Sequence, residues 1–514
     1  MSETGLSLTQ LLVKVASGGP IALAAVASLL ISTRALGQTA LDPSAGTVIH
    51  YESPQGLTNP VARLQAQIAS GKRTLKFEKR RGYLASLLEA LNIPISSQTL
   101  VFSKTSTQNE QITPRTPRAV YFSSDAYVGW APDCPVIDVA AMDPNLGAVF
   151  YTLDQNPTQP PQLTRRLDCL RCHNSARTSY VPGVFVRSTY TGADGAPLAT
   201  AHGFISGHTS SLDQRWGGWY VSGTHVSNQV LSRKTLPRPG EGEFHLGNLI
   251  SSNPDQPEKV DVTAGANLTD LRGLFDSARY LSPHSDIVAL LVLEHQVRMH
   301  NLLTMADYET RYALAELRDK PSPPGGLGDI TLDSPGPEQR IALAGETLLE
   351  YMLFRNEAPL KGPVKGTSSF ASDFQRCGPH ATGARSLRQF DLHKRLFRYP
   401  CSFLIYSEQF DGLPPEMKNY LWRRLAEILN GHDTSPTYAA LPPDDRRATF
   451  EILRQTKPEF DSWIRRRSLV EKPKKPKDLP SRLVNAASVS AWEGCSNSTT
   501  GRPHEGFDHK TYLP

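Results

Sequence analysis

AVYFSS (residues 119–124), AYVGWA (126–131), VIDVAA (136–141) and GAVFYTL (147–153) decide the fold class. Each run is short and rich in aromatic and β-branched residues, and Ser, Asp, Pro, Asn or Gly separates it from the next, the pattern of strands joined by tight turns. Together they predict an antiparallel meander. Further on, GVFVRSTYTGADGAPLATAHGF (183–204) predicts a hairpin that turns at Gly192-Ala193-Asp194-Gly195, and RWGGWYVSGTH (215–225) predicts another strand running into a glycine-rich loop.

Around this β-rich centre the pattern is helical. Leu84, Leu87, Leu88 and Leu91 recur at helix spacing before Pro94. From Ser282 onward the period changes from 2 to 3.6, predicting helices at residues 285–317, 337–356, 414–430 and 443–456, with Gly431 placed as a C-terminal cap. The expected fold is α+β: an antiparallel β meander and hairpins, followed by a mostly helical C-terminal domain. The expected organisation is a signal peptide at 1–37, an N-terminal α+β region with the meander at 38–160, a further region at 161–281, a helical domain at 282–470 and a disordered tail at 471–514. The tail opens with the Pro/Lys linker EKPKKPKDLP.

The 514 residues exceed what one small carrier fold requires. Lys and Arg number 55 against 50 Asp and Glu, and the charges are interleaved. Such a balance carries no basic stripe, so nucleic acid is not an expected partner. At the N-terminus, Lys14 precedes an apolar run at residues 21–31, and Ala35-Leu36-Gly37 supplies small residues for cleavage before Gln38. The run is too short to span a bilayer, which needs about 20 apolar residues. Export to the periplasm is expected, with an uncleaved N-terminal anchor or a buried helix as the alternatives.

Cys169-Leu170-Arg171-Cys172-His173 matches C-x-x-C-H. In this motif two thiols add to the vinyl groups of haem and the adjacent imidazole becomes an axial ligand. With 6 Cys and 14 His in the chain, the motif is expected by chance only about 0.002 times. A zinc site would want paired clusters, but Cys134, Cys377, Cys401 and Cys495 are isolated. A thioredoxin-like pair would open a helix after a strand, whereas this one follows the Pro-rich NPTQPPQ (156–162). One covalent haem c is the expected cofactor, with Cys169 and Cys172 as attachment residues and His173 as proximal ligand to the iron; residues 161–281 are then the expected haem c-binding region, and the meander and hairpins are expected to surround this c-type haem segment.

Residues 174–298 contain no methionine, which disfavours His/Met ligation, although Met142 could approach from the preceding sheet. His202, His208, His225 and His245 lie in polar, glycine-broken sequence, and a second imidazole or an open sixth position is expected. His208 and His225 are the favoured distal candidates because they bracket RWGGWY. Arg215, Trp216 and Trp219 are candidate haem contacts, a guanidinium against a propionate and indoles against the ring; a plain sheet core is their alternative role. His295 falls among Val288, Leu291, Val292, Met299 and Leu302 and should be buried, while His300, off that stripe, should be exposed. Cys377 and Cys401 offer a disulfide in an oxidising compartment, with Cys134 and Cys495 as other partners.

SSQTLVFSKTS (96–106), PRAVYFSSDAYVGW (117–130), DPNLGAVFYTLDQ (143–155), CLRCHNSART (169–178), RWGGWYVSGTH with HLGN (245–248), and RLFRYPCSFLIYS (395–407) give residues 55–460 a resemblance to a family of large exported bacterial proteins with a single cytochrome-c-type haem motif. The resemblance implies a one-haem extracytoplasmic protein, with Cys169, Cys172 and His173 as its sites. It brings no reaction with it. Three functions are open: electron transfer with an unknown redox partner protein, a peroxidase-like haem oxidoreductase with an open sixth position, and a haem-binding sensor or scaffold.

Overall fold

The computed structural model describes residues 48–106, 108–198, 203–225, 245–251, 261, 264–319 and 335–470. The expected signal peptide and tail lie outside them, as do His202 and Cys495. The described chain is mixed α+β with antiparallel sheets, and everything up to Arg465 belongs to one compact unit. No described helix is long and apolar enough to cross a membrane.

The quoted runs form the predicted meander. Strands β1 (Thr99–Val101), β2 (Arg118–Phe122), β3 (Ala126–Trp130), β4 (Val136–Asp143), β5 (Gly147–Asp154) and β6 (Leu163–Arg165) pair antiparallel in chain order. β7 (Val186–Ser188) and β8 (Phe204–Ser206) make the expected hairpin, where Gly195 adopts φ +87° in the turn. β9 (Trp219–Tyr220) returns to pair with β1 as the seventh strand of the sheet, and β10 (Gly223–His225) leaves it to pair with β11 (Val364–Gly366).

Alternation assigns each residue of the large sheet to a face. Across the register, Phe122 meets Tyr127, Tyr127 meets Ala140, and Ala140 meets Phe150, so these lie on one face. Arg118, Val120, Gly129 and Asp138 share it. On the opposite face Tyr151 is hydrogen-bonded to Asn59, the N-cap of helix α1 (Pro60–Ala69), and Trp130 meets Tyr280 edge-on. Helix α2 (Leu84–Ala90) buries Leu84, Leu87 and Leu88 in the same core. Both faces are therefore covered, and β3 is buried at all five positions.

After the one-turn helix α3 (Leu170–His173), the next helix, α4 (Ile287–Asp319), organises the rest. At 1.5 Å per residue its 33 residues reach about 50 Å. From 287 to 310 every residue except Arg298 is buried. Helices α5 (Pro337–Met352) and α6 (Pro415–Leu429) pack on it, and α7 (Pro443–Thr456) packs on α6. Gly431 lies just past the end of α6 with φ +76°, its N–H on the carbonyl of Ile428, as its placement predicts. The change of period at 282 thus marks a change of secondary structure within one compact unit, because α4 packs on β5 and β7 as well as on α5.

The start of α4 is fixed by one carboxylate. Asp286, 1 % exposed, accepts from the backbone N–H groups of Val288 (2.8 Å) and Ala289 (3.3 Å) through Oδ1. Its Oδ2 accepts from the N–H of Thr367 (2.9 Å), the N–H of Ser368 (2.8 Å) and Ser368 Oγ (2.7 Å). A side chain on Gly366 would strike this carboxylate at 2.4 Å, so only glycine admits it. Cys134 and Cys401 are buried and Cys377 is exposed, all three as free thiols, so the Cys377–Cys401 disulfide does not form. Asp286→Ala removes a cap and strands buried donors at once; it should lower unfolding free energy by about 3 kcal/mol or more in a denaturant titration.

Candidate functional site

The motif occupies α3 and the residue before it. The N–H of Cys172 and the N–H of His173 both bond to the carbonyl of Cys169, at 3.2 and 3.0 Å. This single turn sets Cys169, Cys172 and His173 on the wall of one cleft. Cys169 is half-buried and Cys172 is exposed.

The imidazole of His173 is held in one tautomer. Its Nδ1–H donates to the carbonyl of Gly183 at 2.9 Å, while the Gly183 N–H returns a 2.9 Å bond to the carbonyl of His173. Nε2 is left as the nitrogen that carries a lone pair. Phe150 (4.8 Å between ring centroids) and Phe185 (5.1 Å) flank the ring. Burial lowers the imidazole pKa below its ordinary value and so favours the neutral ring, against the opposing effect of the hydrogen bond to Gly183.

The cleft has a volume of about 430 Å³, within the range of roughly 300 to 1,000 Å³ typical of cofactor sites. Its floor is the sheet face described above, with Val120, Gly129, Ala140 and Phe150; its walls include Trp219 from β9 and Leu293 and Val297 from α4. At Gly129 a side chain would strike the Arg118 guanidinium at 2.1 Å, so glycine lets Arg118 lie across the floor to Asp138, 2.8 Å away. Tyr127 lines the cleft and directs its hydroxyl to His300 Nδ1 at 2.8 Å.

These residues fit a covalently held haem. Two thiols and one correctly tautomeric imidazole share an apolar, aromatic cleft, and arginines stand within it. The rival readings fit less well. Burial and the neighbouring Asp168 push the Cys169 thiol up to about 11, the reverse of the acidic thiol that disulfide exchange requires. Among the described residues no three His, Cys, Asp or Glu side chains group as metal ligands, as a zinc site would need.

The other expected site residues divide. Trp219 lines the cleft, its indole N–H on the carbonyl of Arg187 at 2.9 Å. Arg215, Trp216, His208 and His225 do not line it, so the structure does not bring the two distal candidates opposite His173. His208 Nδ1 pairs with His295 Nδ1 at 2.8 Å, His295 Nε2 pairs with Ser402 Oγ at 2.8 Å, and the His208 ring stacks on Tyr351 at 3.9 Å. Burial drives both imidazoles far down, His295 to about 3, so both are neutral. His225, on β10, lies 5.3 Å from His245, whose ring meets Trp216. Met142 is buried in β4 away from the cleft. His295 is buried as expected, but His300 is fully buried too, because α4 is enclosed on all sides and has no exposed face at that level.

Arg215, expected to reach a propionate, instead makes a buried ion pair: Nη1 donates to Glu294 Oε2 at 2.9 Å, and its other nitrogens serve the carbonyls of His208 and Ser210. Burial raises the Glu294 carboxyl above its ordinary value while the guanidinium opposes the rise. Sequence reading missed Arg118, Asp138, Tyr127 and Arg187 in the cleft. Strand alternation could have placed the first three on one face, but nothing local marked that face as the one the motif would meet.

Comparison with protein-family models, curated proteins and solved structures returns no significant match for this chain.

Arg215→Met should cost about 3 to 5 kcal/mol at neutral pH by leaving Glu294 buried and unpaired. The loss should shrink on acidification. A raised folded-state pKa means the native state holds the proton more tightly, so stability falls as pH rises through the window above 4.5. Denaturation at several pH values would reveal this trend; a pH-independent deficit would contradict it.

Proposed function

We propose that this chain is an exported protein that holds one haem c in the cleft, through Cys169 and Cys172 and with His173 as axial ligand, and carries single electrons in the periplasm. The observation that carries the reading is the reciprocal His173–Gly183 bonding, which commits Nδ1 to the backbone and leaves Nε2 free beside both thiols. A haem in this place would supply a one-electron iron couple.

Gly183 fixes the ring orientation and raises its basicity. Phe150, Phe185, Trp219, Leu293 and Val297 give apolar walls that exclude water and favour the less charged, reduced state. Cys169 and Cys172, both free thiols, would hold the group by thioether bonds to its vinyl substituents. Cys172 is exposed, so an edge attached there would lie within reach of a redox partner protein. Attachment of this kind takes place outside the cytoplasm in bacteria, in keeping with the N-terminal segment.

One observation favours a second reading. Among the described residues that line the cleft, His173 is the lone imidazole and no methionine is present. An open sixth position would suit an oxidoreductase acting on a small molecule, or a sensor.

The full chain, produced in a host that exports it and matures c-type haem, should have the mass of residues 38–514 plus one haem. Cys169→Ala with Cys172→Ala should abolish denaturation-resistant haem. A wild-type mass without haem would defeat the proposal. A spectrum unmoved by carbon monoxide and peroxide would support electron transfer, whereas binding of either would transfer the assignment to the second reading.

A further inference from the structure

The charges of the cleft are not all paired among the described residues. Four charged side chains line it: Arg118, Asp138, Asp168 and Arg187. Arg118 and Asp138 pair with each other at 2.8 Å, and Asp168 is held by Arg166 through two bonds of 3.0 and 2.7 Å. Arg187 makes no ion pair or side-chain hydrogen bond with any described residue. Its guanidinium lies against Gly203, where a side chain would come within 2.2 Å of Nε, so the backbone there is shaped to the arginine.

Arg187 also has a defined place relative to the motif. Val184 to Arg187 all line the cleft, Val184 and Val186 buried; Phe185, which stacks on His173, and Arg187, two residues apart, are the half-buried pair among them. They point the same way, with Arg187 about 7 Å farther along. The vinyl groups of a haem, which the cysteines take, and its two propionates lie on opposite edges of the macrocycle. A lone guanidinium set back from the axial histidine matches the second edge.

We infer that Arg187 binds a carboxylate of the group that occupies the cleft, and so fixes the orientation of that group. This rests on the haem reading above. It moves the propionate contact from Arg215, which is consumed by Glu294, to Arg187. The neighbouring Arg118 Nε, buried and without a partner, offers a second donor on the floor.

The test uses the full chain made without haem maturation and two probes, ferric haem and its dimethyl ester, which lacks both carboxylates. Arg187→Gln should weaken haem binding by about tenfold or more, the loss expected for one charge-assisted hydrogen bond, and leave ester binding unchanged. Arg187→Lys should recover part of the affinity. Equal affinity of wild type and Arg187→Gln for haem, or equal losses for haem and ester, would overturn the assignment while leaving the haem reading standing. If the exported and matured chain carries no haem, the haem reading itself fails, and this assignment with it; if that chain carries haem but the unmatured wild type binds haem no more tightly than its ester, the carboxylate assignment alone is overturned. Far-ultraviolet circular dichroism of each variant separates these outcomes from misfolding, and the lysine variant then serves as the folded comparison.

Discussion

A 33-residue helix that is buried for most of its length must have every polar group answered from within the protein, and the carboxylate of Asp286 settles the first of these demands. By capping α4 and receiving the β11 turn with its other oxygen, it fixes where the helix begins and which segments meet there. Ser222 extends the same joint, since its carbonyl accepts from the N–H of Ile287 at 3.0 Å and its N–H bonds to the carbonyl of Ser285 at 2.7 Å. The end of the β-rich region is thus sewn to the start of the helices.

Polar residues along α4 then find partners in every layer around it. Gln296 and His300 reach Tyr127 on the sheet, Asn301 reaches the backbone of Val184 beyond the motif, His295 reaches His208 and Ser402, and Glu294 reaches Arg215. These contacts cost desolvation and return specificity of placement, because a helix rotated by one residue would leave several of them unpaired. What the placement delivers is Leu293 and Val297 at the cleft, facing the sheet that carries Gly129 and Phe150.

The sequence made the strands legible because each is short, β-branched and closed by a turn residue, and the longer helices because their apolar period is 3.6. Residues that lie close in the chain were read well: the turn at Gly192 to Gly195 and the cap at Gly431. Residues whose role depends on what crosses them in space were not. His300 looks exposed on a helical wheel only if one face of α4 meets water, and no face at that level does. Arg215 looked like a ligand contact because its partner, Glu294, is 79 residues away. Arg187 carried no signal at all until the other charges of the cleft had been matched to partners.

Because α4 lines the cleft with one face and supports the C-terminal helices with another, the chain has no clean place to be cut. A fragment ending near residue 281 would expose the sheet face that α4 covers, and a fragment starting there would present a long helix with His295, Gln296, His300 and Asn301 stripped of their partners. One hydrophobic core runs through both halves, from Ile49 to Phe460. The C-x-x-C-H turn is in this way part of the body that surrounds it.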